Sequence, residues 1–237
     1  MRFNRLLGGH TEEASTLEVA RPKLPVEDSE FLMEGPMLDA LLITRMQDEM
    51  TAALHEVEDE VAIEATADGL MALATAQHRA NFDLWHEEDK ARVPEVPDSE
   101  IVRVKRAIDS LNQRRNDLVE KMDLWLIDRL DQDTAAPLHS ETPGLMIDRL
   151  SILALKIYHT REESHRVNAT EQHRWKNAER LVLLEEQRQD LASCLDALWT
   201  EVLEGRRRFK LYRQLKMYND PELNPAVYGR KTDGGDG

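Results

Sequence analysis

Leu145-Met146-Ile147-Asp148-Arg149-Leu150-Ser151-Ile152-Leu153-Ala154-Leu155-Lys156-Ile157-Tyr158-His159 is apolar on most of its sides when wound at helical pitch. A helix of that kind belongs at the centre of a bundle, wrapped by others. Thr142-Pro143 marks its start, with Thr placed to cap and Pro at the first helical position, and the pattern runs to about Arg166. Asp148, Arg149 and Lys156 are out of character there. Arg149 and Lys156, seven apart, share one stripe, while Asp148 and Ser151 lie one turn apart on a neighbouring stripe. A lone charge in an apolar interior is too costly to persist, so these groups must pair or face a wet cavity.

Long partners flank this centre. From Asp98, read as a cap, to about Leu130, the residues Ile101, Val104, Ile108, Leu111, Arg115, Leu118, Met122 and Trp125 recur at three and four. Asn168 with Glu171 resembles a capping box that opens a helix to about Tyr218, on the seam Leu181, Leu184, Arg188, Leu191, Leu195, Leu198, Val202 and Phe209, with Gly205 as a site for a kink. Both seams carry an arginine. Upstream, Pro36 to about Arg92 holds two amphipathic helices. Residues 1–35, broken by Pro22 and Pro25, read as an irregular arm, and 219–237 as an irregular tail, leaving one helical domain over 36–218. The expected fold is all-α, an elongated helical bundle with long heptad-like central helices.

Composition agrees. Of 237 residues 41% are apolar and 32% charged, enough to bury a core, while aromatics are only 5%. The net charge of -15 disfavours a nucleic-acid binder, since phosphate affinity comes from Lys and Arg. No uncharged stretch approaches the roughly 20 residues of a spanning helix, so integral membrane association is not expected. One cysteine, Cys194, cannot form an internal disulfide, and its place between Leu191 and Leu198 reads as a small core position. A cytoplasmic protein is expected. The run Asp48 to Asp68 holds acids and no Lys or Arg, a solvated face or a docking surface. The segment Gly205 to Lys216 holds cations and no acid, as suits a helix end, a phosphate contact or a pairing with that acidic run between protomers. A protein partner or homo-oligomer therefore stays open.

The candidate site gathers the out-of-character residues. Arg115 and Arg188 enter from the flanking helices toward Asp148, Arg149 and Lys156, so four cations meet Asp117, Asp148 and Asp190. Asn112, Asn116, Ser151 and His159 add donors and acceptors, with Asn81, Trp85 and His86 as secondary candidates. One reading is a structural ion-pair network that fixes register, the mark of a scaffolding protein. The other is an interhelical pocket for a polar, anionic ligand containing phosphate or sugar, because Arg offers a planar fork to such oxygens. A third reading is a metal-dependent enzyme of the carboxylate-bundle type. Asp83-x-x-His86 and Glu162-x-x-His165 have the spacing of its ligands, with Glu120 and Glu185 as further carboxylates. The arginines on the seams oppose it, and no metal is assigned. Ser151 lacks a base within one turn, so no catalytic residue is assigned either. Without a phosphate loop, zinc spacing or dinucleotide fingerprint, no cofactor is expected.

Four strings also carry a resemblance: Asn81 to Arg92, Leu111 to Leu118, Glu141 through Glu163, and Lys216 to Pro221. Together they resemble the bacterial domain-of-unknown-function family 4254, over about residues 36–228. The resemblance implies a soluble bacterial helical protein without established activity, and hints at a part in glycan assembly.

Overall fold

Five α-helices build the described part of the chain: α1 Ala40–Glu56, α2 Leu70–Lys90, α3 Asp98–Ile127, α4 Pro143–His165 and α5 Glu171–Leu203. The structure is a computed structural model that describes residues 38–56, 69–95, 97–213 and 222–224. The expected arm over 1–35, residues 57–68 of the acidic run, and all but 222–224 of the expected tail lie outside the described residues. Among the described residues there is no strand, only an isolated bridge between Leu138 and Arg208. The all-α expectation holds.

α4 is the hub, and its composition explains why. Ile147, Leu150, Ala154, Leu155 and Ile157 are almost wholly buried, because α1, α2, α3 and α5 all pack against it. Facing them are Ile43 of α1, Ala74 of α2, Met122 and Leu126 of α3, and Leu195, Leu198 and Trp199 of α5. The start of α4 is locked by chemistry already visible in Glu141-Thr142-Pro143-Gly144. Thr142 Oγ1 accepts from Leu145 N at 3.3 Å and donates to Asp123 Oδ2 at 2.5 Å, while Gly144 N donates to Asp123 Oδ1 at 2.7 Å. Only glycine fits at 144. A Cβ there would stand 2.7 Å from that carboxylate oxygen and 2.8 Å from Val119 O. These contacts set α3 antiparallel to α4. α5 also runs antiparallel to α1: Asp196 Oδ1 accepts from Ala40 N at 3.0 Å, and Arg188 reaches Thr44 and Asp48 further along.

Three boundaries differ from expectation. Asp98 is the first residue of α3 and no side chain caps it, so it serves as an acid in the first turn, beside the positive end of the helix dipole. Thr170, not Asn168, caps α5, accepting from His173 N at 3.2 Å. The largest difference is the end of α5, at Leu203 rather than near Tyr218. Gly205 takes a left-handed φ of 69° and terminates the helix instead of kinking it. Beyond it Arg207 pairs with Glu201, Arg206 with Glu201 and Glu204, and Arg208 donates to Ala136 O. Phe209 N donates to Gln132 Oε1 at 2.8 Å and its ring enters the core. Much of the basic segment is thus spent on contacts within the fold.

The seams are real only in part. Val104, Ile108, Leu118 and Met122 are buried but Ile101 is exposed, and the seam residues of α5 are buried only from Leu191 on. No helix among the described residues is long and apolar enough to cross a membrane.

Candidate functional site

Arg115 of α3 meets Asp148 of α4 with both arms of its fork, Nε to Oδ1 at 2.7 Å and Nη2 to Oδ2 at 2.5 Å. Asp148 is buried and also accepts from Gln77 Nε2 at 2.5 Å and Asn81 Nδ2 at 3.1 Å. Four donors on two oxygens leave that carboxylate saturated. The bond to Asp148 raises the pKa of Arg115 against the burial that lowers it.

Beside this pair runs a chain of neutral hydrogen bonds whose direction follows from donor counting. Thr51 Oγ1 donates its only proton to Gln47 O at 2.7 Å, so it must accept from His78 Nε2 at 2.9 Å. His78 Nδ1 is then an acceptor. It takes the proton of Ser151 Oγ at 2.7 Å, and Ser151 in turn accepts from Asn81 Nδ2 at 2.9 Å. Burial pushes the His78 pKa down to about 4, which keeps the ring neutral as this chain requires. Sequence reading found no base for Ser151 because the partner comes from α2. The pair is sealed: His78 and Ser151 have no exposed surface, so no substrate reaches the hydroxyl.

The four cations do not converge. Arg149 is exposed and pairs with Glu141 at 2.7 Å, Lys156 is exposed with no partner among the described residues, and Arg188 donates to Thr44 O at 2.7 Å and Asp48 Oδ2 at 2.8 Å. Asp190 and Asp117 are exposed, Asp117 accepting from Gln113, and Asn112 and Asn116 are half-buried on α3. The reason is rotation about α4. Asp148 and Ser151 turn toward α2 and α3, whereas Arg149 and Lys156, on the stripe next to them, line a groove against α5.

That groove encloses about 640 Å³, walled by Arg149, Lys156 and Leu153 of α4 and by Gln187 and Asp190 of α5. Cys194 lines it and is exposed, which corrects its reading as a core residue. A second cavity of about 340 Å³ lies among α2, α3 and α4, bordered by Asn81, Trp85, Arg115 and Leu155.

His55, His86 and His159 cluster where α1, α2 and α4 meet again, further along. His55 stacks on Tyr158 with ring centres 4.3 Å apart, and His159 stacks on Trp85 at 5.1 Å. Burial lowers the His159 pKa, partly opposed by its bond to Glu162. The carboxylate-x-x-His pairs weighed from sequence as a third reading do not assemble. Asp83 pairs with Arg79, Glu185 with Arg161, and His165 is exposed and bonded to Arg161 O. His55, Gln47, Thr51, Gln77 and His78 are central here and carried no motif that would have singled them out.

An all-helical bundle with a hydrogen-bonded polar interior at its hub, an open charged groove and a histidine cluster is the class of protein these features define. The chain belongs to the family described as "Protein of unknown function (DUF4254)", whose profile matches residues 71–211. The match spans α2 through α5 and is narrower than the 36–228 read from sequence; α1 and the string Lys216 to Pro221 fall outside it. No curated protein and no solved structure matches.

Proposed function

We propose that the groove between α4 and α5 binds a small polar anion that joins phosphate to a sugar. The observation that carries this reading is Lys156, an ammonium with no partner among the described residues, one heptad from Arg149 on the same wall. Two cations on one wall suit a phosphate, and Arg149 keeps donors beyond the one given to Glu141. Gln187, Asp190 and Glu141 supply acceptors for hydroxyls, and Met146, Leu153 and Leu191 an apolar bed for ring C–H groups. A volume of about 640 Å³ is ordinary for small-molecule sites. Arg115 and Arg188, tied to protein acceptors, serve the register of the helices in this reading. A setting in bacterial glycan assembly is supported by the family resemblance alone, and a cytoplasmic one by the single cysteine.

Thermal shift against hexose 1-phosphates and nucleoside-diphosphate sugars tests the proposal. A ligand at a hundredfold excess over its Kd raises Tm by about 5–10 °C for a chain of this size. Lys156→Ala, a surface change with little effect on the free protein, abolishes that rise. Absence of any shift, or an equal shift in the variant, overturns the reading and leaves the scaffolding alternative.

A further inference from the structure

We infer that His55, His86 and His159 form a binding site for a divalent transition-metal ion of the zinc class, each giving its Nε2 atom. The argument begins with the opposite ring nitrogens. His55 Nδ1 lies 2.7 Å from Thr51 O and His86 Nδ1 lies 2.9 Å from Phe82 O; a carbonyl only accepts, so both Nδ1 atoms carry the proton. His159 Nδ1 stands 3.1 Å from Glu162 Oε2 and donates to that carboxylate. In the neutral rings every Nε2 is therefore a bare lone pair.

These lone pairs come together without partners. The ligand atoms of the three rings all lie within 4.8 Å of one another, and Nε2 of His55 and of His159 is buried with no hydrogen-bond partner. Ring stacking on Tyr158 and Trp85 accounts for where the rings sit. It does not account for two buried acceptors without a hydrogen-bond partner close to a third imidazole, since buried polar atoms are normally satisfied. A tetrahedral zinc with bonds of about 2.0–2.1 Å sets its nitrogens about 3.4 Å apart, so closing on an ion asks each ring for a displacement of about 1 Å.

The surroundings are those that metal-bound imidazoles use. Each ring is oriented through its second nitrogen by a backbone carbonyl or a carboxylate, which fixes the tautomer and raises ligand basicity. Three neutral nitrogens suit zinc, copper or nickel better than calcium or magnesium, which take oxygen. Three protein ligands leave a position for water. The assignment departs from the sequence expectation of no metal, and from the carboxylate ligand set weighed there. It is independent of the anion groove, whose cations lie on another stripe of α4.

Isothermal titration of chelator-treated full-length protein with zinc chloride tests the site. One ion per chain is expected, and His86→Ala or His159→Asn weakens binding at least tenfold. Glu162→Gln, an exposed change that leaves the ligands in place, gives a loss of about tenfold and stands in if a histidine variant does not fold. No uptake by the parent protein, or equal affinity in parent and variants, overturns the inference.

Discussion

The same three helices carry histidines at two levels, and the levels differ in how far the ring nitrogens are engaged. At the first, His78 of α2 lies between Thr51 of α1 and Ser151 of α4, and both its ring nitrogens are engaged. At the second, one turn on along α1 and two turns on along α2 and α4, His55, His86 and His159 face one another with Nε2 atoms uncommitted. Residue type is shared; His78 is wholly buried and the three rings of the second level only partly so, yet Nε2 of His55 and of His159 is itself buried. What separates structure from site is whether the bonding capacity of the imidazoles is exhausted. The chain of bonds through His78 ends at the carbonyl of Gln47, although Gln47 Oε1 and Gln77 Oε1 beside it are buried without a partner; at the second level it is the imidazole nitrogens that end on lone pairs. The contrast extends to the cations, where Arg115 is bound on two sides by a saturated carboxylate and Lys156 is left to solvent.

Breaking the closed level has the larger effect. Asp148→Ala strands Arg115, Gln77 and Asn81 together, and urea denaturation is expected to show a loss of about 3–5 kcal/mol. His86→Ala in metal-free protein, at the open level, costs about 1 kcal/mol or less. Equal losses would erase the distinction between the levels.

A pH titration sharpens it. His78 has its folded pKa depressed to about 4, so between there and 6.5 the unfolded chain binds the extra proton and stability falls as pH falls. Asp123, held at about 6 by burial despite its bonds to Thr142 and Gly144, works the other way: the fold holds the proton, and stability rises as pH falls through nearly the same window. Each contribution is on the order of 3 kcal/mol, and they oppose. The parent protein is therefore flatter between pH 6.5 and 4 than Asp123→Asn, in which the destabilisation from His78 stands uncovered. Parallel stability profiles for the two proteins would contradict this balance.

Much of the fold was legible because its signals are local. The apolar girdle of α4 and its Thr142-Pro143 start depend on residues within one turn, and both were read correctly. The end of α5 was not, because the seven-residue step from Val202 to Phe209 imitates a heptad. The left-handed turn at Gly205 and the distant acceptor on Gln132 decide it, and neither shows in a periodic pattern. Asp148, Ser151 and Arg115 announced themselves as polar residues on apolar stripes. His78, Gln77 and Thr51 did not, for each sits in an ordinary amphipathic helix and gains its meaning only when α1, α2 and α4 are laid together. The histidine cluster was half visible through His86 and His159. The spacing of Asp83 and His86 pointed to a ligand on the same helix, whereas Asp83 is taken by Arg79 and the third imidazole arrives from α1.

The tautomers of these rings test the account most directly, by long-range ¹⁵N–¹H correlation of the histidine side chains at neutral pH, before and after one equivalent of zinc. The prediction is His78 protonated on Nε2 and unmoved by zinc, with His55, His86 and His159 protonated on Nδ1 and their Nε2 resonances shifted on addition. Imidazolium or Nε2-protonated rings at the second level, with no response to zinc, would contradict it.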